Sequence, residues 1–196
     1  MEVVKKETID KWIITAYDIN KANGFHDSSY TDNHRLMMIV TEIGEAIESD
    51  RKRRHLDKKA FEIFAFLDKS FAKNQYWQEK GFVQMFETTV KDTFEDELAD
   101  ICIRCCDFIG TKSLTFNDAF SGPVEFPNGF YNHFAEKGWD WVRILNDAKF
   151  DVPARVAGLM YEVLWYCEEH FIDIEKHVDW KLRYNRSRPR LHGKAY

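Results

Sequence analysis

Apolar residues recur every three or four positions along most of this chain, and strand-like alternation is scarce. Between residues 9 and 23 the stripe is Ile9, Trp12, Ile13, Ala16 and Ile19, and Gly24 follows as a C-terminal stop. A second helix is predicted from Asp32 or Asn33 to about Asp50, with Leu36, Ile39, Val40, Ile43 and Ile47 on one side. The stretch "KKAFEIFAFLDKSFAK" reads as a third. Residues 93 to 109 carry the clearest stripe: Leu98, Ile101, Cys102, Cys105, Phe108 and Ile109. Thr93 and Asp96 have capping-box spacing at its start, and Gly110 is predicted to close it. The pattern weakens over 111 to 150, where "SGPVEFPNGF" reads as loop and "GWDWVRIL" as a short helix. A fifth strong helix starts after Asp151 with Pro153 in its first turn, and the chain restarts at Asp173 as "DIEKHVDWKLRYN". No repeat of solenoid period is present. The expectation is an all-α helical bundle.

Composition narrows this picture without changing it. A chain of 196 residues, 44% hydrophobic, can bury a real core as one domain, with or without a sizeable insertion. A net charge of −5 argues against a protein that coats nucleic acid, so no stable nucleic-acid partner is expected. No apolar run approaches membrane-spanning length, and "MEVVKKETIDKW" is too charged for a signal peptide, so the expectation is a cytoplasmic protein with no membrane partner. Cys102, Cys105 and Cys106 cluster on one helix and Cys167 stands apart, which fits buried reduced thiols better than disulfides or zinc.

The acidic residues raise the first chemical question. Glu42, Glu45 and Glu48 occupy successive turns beside an apolar stripe, where like charges repel unless a cation lies between them. The segments "EIGEAI" and "ELADIC" share one pattern: acid, apolar, small, acid. Glu42 with Glu45, and Glu97 with Asp100, each share a helix face. Gly44 and Ala99 leave room for another backbone. Two such helices packed antiparallel would aim four carboxylates at one point, a site for a hard divalent cation such as Mg²⁺ or Mn²⁺. The plainer reading is solvated glutamates on helix flanks. A di-iron centre would need Glu-x-x-His, which no glutamate here supplies.

Complementary charge lies at the end of the chain. From Lys181 to Lys194 there are six Lys or Arg and no acid. Lys181, Asn185 and Arg188 would share a face if the helix continues to Pro189, and such donors suit a polyphosphate. Taken alone, this stretch reads as a solvated, partly frayed tail. The other basic run, "RKRRHLDKK", reads as an exposed connection into an insertion, with a nucleic-acid role as the second reading.

Taken as an ordered set, "LMMIVTEIGEAIESDR", "EDELADICIRCCDFIG" and "DIEKHVDWKLRYNRSRPRLHGK" resemble the MazG-like all-α nucleoside triphosphate pyrophosphohydrolases, and "KANGFHD" resembles the entry to their first motif helix. That superfamily includes the dimeric dUTPases, dCTP pyrophosphatases and phosphoribosyl-ATP pyrophosphatases. The likeness covers roughly half the chain. It departs in the longer spacing between Glu45 and Glu97, an insertion over about 51–92, and in a loop-rich insertion over about 111–150. The resemblance implies a single MazG-like helical domain over 1–196, with protomers paired as homodimers or as tetramers of dimers. It implies Mg²⁺-dependent hydrolysis of a nucleoside triphosphate to monophosphate and pyrophosphate, for cleansing of the nucleotide pool, with Mn²⁺ as the other cofactor. Glu42, Glu45, Glu97 and Asp100 would hold the metal, and any of them could take the proton of the attacking water. Lys181, Asn185 and Arg188 would hold phosphate oxygens. Asp107 would be an auxiliary ligand, and His34 would reach the nucleotide. The alternative is a nucleotide-binding or regulatory helical module without turnover. Phe25, Trp77, Trp139 and Trp141 are each candidates to stack on a base, or core residues.

Overall fold

Nine α-helices and no strand occur among the residues that the computed structural model describes, 4–122 and 131–193. The first, α1 (Lys6–Ala22), stops at the predicted glycine. Gly24 adopts φ +85°, Phe25 N–H reaches Asn20 O at 2.9 Å and Gly24 N–H reaches Lys21 O at 3.1 Å. These are the paired bonds of a Schellman ending, which favours glycine in the left-handed position. Next come α2 (Asp32–Arg51), α3 (Lys58–Ser70) and a π-helical turn, Trp77–Gly81, that leads straight into α4 (Phe82–Thr89). They are followed by α5 (Phe94–Thr111), the short α6 (Phe116–Ala119), α7 (Phe134–Leu145), α8 (Val152–Glu169) and α9 (Ile174–Ser187). A 3₁₀ turn, Arg190–Gly193, ends the described chain.

Short polar side chains start most of these helices by accepting otherwise orphaned N–H groups. Thr31 and Thr93 cap α2 and α5, and Asp57, Asp151 and Asp173 cap α3, α8 and α9. The expected end of α5 differs. The helix runs through Gly110 to Thr111, and Ser113 takes the left-handed conformation instead, at φ 57°. The glycine serves packing: a Cβ there would lie 2.8 Å from the Tyr17 Cβ and 3.3 Å from the Ile13 carbonyl oxygen. Gly110 lets α1 approach α5 closely.

Helix α5 is the axis of the molecule, packed against α1, α2, α8 and α9. Leu98, Ile101, Cys102, Cys105 and Ile109 are fully buried along it. All four cysteines are buried free thiols. Of the weakly patterned 111–150 stretch, 123–130 and so most of "SGPVEFPNGF" fall outside the described residues. Its helix α7 packs on α2 and α8 and buries Trp141, Ile144 and Leu145 in the main core.

The stretch between α2 and α5 builds a second, aromatic cluster. Phe64, Phe82, Phe86 and Val90 enclose Trp180 and Tyr184 of α9. Asp68 on α3 fastens this cluster, accepting from Trp77 Nε1 at 2.9 Å, Trp180 Nε1 at 3.0 Å and Arg183 at 2.7 Å. Asp68→Ala would strand these donors, a loss of roughly 2–3 kcal/mol. Urea unfolding followed by tryptophan fluorescence should show it. A change under about 0.5 kcal/mol would mean that water replaces the carboxylate freely.

Candidate functional site

The acidic helices α2 and α5 pack together, and oxygens of Glu42, Glu97 and Asp100 all come within 4.8 Å of one another. Glu42 and Glu97 are buried, at 7% and 6% exposure, because they flank the stripes that join the two helices. Glu45, one turn after Glu42, is exposed and stands outside this triad, yet it lines the same cavity of about 230 Å³. The structure thus brings three of the four expected carboxylates together and leaves the fourth at the rim.

Cations from α5 and α9 balance this charge. Arg104 Nε donates to Glu42 Oε1 at 2.9 Å. Lys181 Nζ lies 2.6 Å from Asp96 Oδ2 and 2.6 Å from Asp100 Oδ2, with its side chain 6% exposed. Burial alone would pull the Lys181 ammonium down, but Asp100 and Asp96 outweigh it and hold the charge. Burial pushes Asp96 up to about 6 against the pull of Lys181. Glu42 is raised by burial and by Asp100, with Arg104 opposing. Glu97 rises furthest, to about 8, through burial and then the Asp100 charge.

Asp96 was legible only as a cap. Thr93 does accept the Asp96 N–H, but the Asp96 carboxylate turns to the Asp92 N–H at 3.1 Å and to Lys181. Nothing in the spacing marks a contact between residues 85 positions apart. Asn20, Lys91 and Tyr184 also line the cavity and escaped the sequence reading for the same reason.

The basic face survives with a change. Helix α9 ends at Ser187 and Arg188 is its extended C-cap, so the helical spacing breaks before Arg188. Lys181, Asn185 and Arg188 nevertheless all line the cavity. Asn185 is 6% exposed, and its Oδ1 is buried without a hydrogen-bond partner. Beyond them the chain is tied to the α1–α2 connection as far as Leu191, where a frayed tail was the plainer expectation: Leu191 N–H bonds Asn23 O at 2.8 Å and Arg190 pairs with Asp27. Lys194 lies outside the described residues.

Two expected residues sit elsewhere. Asp107, two turns beyond Asp100, meets His26 Nε2 at 2.9 Å and Arg35 at 3.9 Å, so it is held away from the carboxylate triad. His34 stacks on Tyr30, ring centroids 4.2 Å apart, and does not line the cavity. Of the aromatic candidates, Trp141 is core, Trp77 packs against the second cluster and Trp139 is exposed. Phe25 lies 6.0 Å from the Arg104 guanidinium.

The donor set fits a hard divalent cation. Every ligand atom is a carboxylate oxygen, and burial makes the charged form of Glu97 costly until a cation compensates it. Comparison with known proteins finds no matching family model, curated protein or solved structure.

Glu97 also sets an expected pH dependence without metal. Its folded value of about 8 exceeds the ordinary 4.5, so folding holds this proton more tightly than the unfolded chain does. That contribution to stability is complete below 4.5 and is lost as pH rises through about 8. In a chelator, the melting temperature should fall between about pH 5 and pH 8, and less so in Glu97→Gln. A flat profile in the unmodified protein would show that Glu97 is not perturbed.

Proposed function

We propose that this chain is a MazG-like nucleoside triphosphate pyrophosphohydrolase, cutting its substrate to a monophosphate and pyrophosphate with Mg²⁺ or Mn²⁺. One observation carries the reading: a carboxylate triad of buried Glu42 and Glu97 with half-buried Asp100 shares a cavity with Lys181, Asn185 and Arg188. Glu42, Glu97 and Asp100 would hold the divalent cation, which would supply neutralisation of phosphate charge and a lowered pKa for the attacking water. Arg104, which also lines the cavity, fixes the Glu42 carboxylate through its 2.9 Å bond. Glu45, at the rim and outside the triad, takes the proton of the attacking water. Arg188 presents its guanidinium fork to phosphate oxygens, and Asn185 adds an amide beside it. Cleansing of the nucleotide pool, a cytoplasmic location and pairing into homodimers or tetramers of dimers belong to the same reading. Among the described residues no helix is long and apolar enough to cross a membrane.

The test is product analysis of the purified protein with Mg²⁺ or Mn²⁺ and the common ribo- and deoxyribonucleoside triphosphates. At least one should give monophosphate and pyrophosphate. Orthophosphate with a diphosphate would mean that another bond is cut, and inertness throughout would favour a binding or regulatory module.

Arg188→Ala should lower kcat/KM about ten- to a hundredfold, the worth of one charge-assisted hydrogen bond. Stability should stay within about 0.5 kcal/mol, because Arg188 is half-exposed at a helix end. Arg190→Ala is the control, since Arg190 is engaged with Asp27 and packs over Gly24. Equal losses in the two variants would remove Arg188 from phosphate binding.

A further inference from the structure

Lys181 presents a difficulty for any cation in this cavity. Its ammonium already contacts Asp100 at 2.6 Å, so a divalent cation on Asp100 must loosen a buried ion pair. Removing the carboxylate from a buried ammonium is costly unless another acceptor replaces it. The structure supplies that acceptor. Asp96 precedes Asp100 by one helical turn on α5, is fully buried and already holds Lys181 at 2.6 Å through Oδ2. Its Oδ1 is buried and has no hydrogen-bond partner.

Asp96 is also fixed in place. Its Oδ2 accepts the N–H of Asp92, which is held at φ 63° in the turn between α4 and α5. The Asp92 carbonyl in turn accepts from Ser49 of α2 at 3.4 Å. On the far side, the Phe86 ring centroid lies 5.8 Å from the Lys181 nitrogen.

We propose that Asp96 is a positioning residue that retains the Lys181 ammonium when Asp100 turns to a divalent cation, and so sets the affinity of the carboxylate triad for that cation. Asp96 Oδ1 takes the N–H that Lys181 withdraws from Asp100. Without the Asp96 charge, Lys181 keeps Asp100 as its one contacting carboxylate among the described residues and competes with the cation for it. This inference rests on the proposed metal site, and it concerns affinity alone.

The experiment is a double-mutant cycle on the full chain, read as Mn²⁺ affinity by titration calorimetry without nucleotide. The proteins are the unmodified chain, Asp96→Asn, Lys181→Met and the double variant. Asp96→Asn should weaken Mn²⁺ binding about tenfold with Lys181 present and less than about twofold in the Lys181→Met background, as contacting residues couple. Equal effects in both backgrounds, large or absent, would mean that Asp96 does not act through Lys181 and would overturn the inference while leaving the metal site standing. No Mn²⁺ binding by the unmodified protein would overturn both. If Lys181→Met does not fold, Lys181→Gln keeps a neutral donor between the carboxylates and the same comparison decides.

Discussion

Glu97→Gln should lower metal-dependent turnover by at least about a thousandfold, ~4 kcal/mol of barrier, while raising the melting temperature of the metal-free protein. Opposite signs are expected because one charge does both things. In the folded protein the Glu97 carboxyl is 6% exposed, lies beside Asp100 and is pushed up to about 8. An isosteric amide removes the burial cost and the repulsion but keeps the shape that fills the gap between α2 and α5. The same amide is a poor ligand for a hard cation, which prefers charged oxygen. Mg²⁺ should also stabilise the unmodified protein in melts, because a ligand that binds only the folded state adds RT ln(1 + [L]/Kd), and that increment should vanish in the variant. Near-normal turnover in Glu97→Gln would take Glu97 out of the site. A fall in melting temperature without metal would show instead that the carboxylate supports the fold.

The helices were legible because stripes such as Leu98, Ile101, Cys102, Cys105 and Ile109 declare one face, and because Thr93, Asp151 and Asp173 announce starts. Ends were less legible. Gly24 and Gly110 look alike in sequence, but the first adopts φ +85° to stop α1 and the second lies within α5 where α1 presses close. Only the packed neighbour separates those roles. The site divides in the same way. Glu42, Glu97 and Asp100 could be found because helical spacing puts acids beside the stripe, whereas Glu45 shares that spacing and still points to the rim. Asp107 follows Asp100 by two turns, so the sequence places it on the same side, yet His26 and Arg35 claim it. Asp96 has the opposite history: its capping role is written locally, and its bond to Lys181 depends on how α9 crosses α5.

Lys181→Ala tests that crossing most severely. From the spacing of the basic face, the variant would lose turnover at unchanged stability, as an exposed phosphate ligand does. The structure changes the expectation, since Lys181 is 5% exposed and its ammonium neutralises Asp96 and Asp100 together. Removing one member of a buried ion pair costs about 3–5 kcal/mol, because the remaining charge keeps its burial penalty. Lys181→Ala should therefore lose several kcal/mol in denaturant unfolding, beside its loss of turnover. The loss should depend on pH in a definite sense. Asp96 stands at about 6 even with the ammonium beside it, and without that opposing charge it rises further. A carboxyl whose folded value lies above its unfolded 3.8 favours folding most at low pH and loses that advantage as pH rises through the folded value. The variant should thus come closest to the unmodified protein near pH 4 and fall away from it through about pH 6 and beyond. Asp96→Asn added to Lys181→Ala should recover part of the loss and flatten the profile, because the buried charge is then gone. A single variant with unchanged stability at neutral pH would mean that Lys181 is solvated in solution, and the ion pair at the centre of the site would have to be given up.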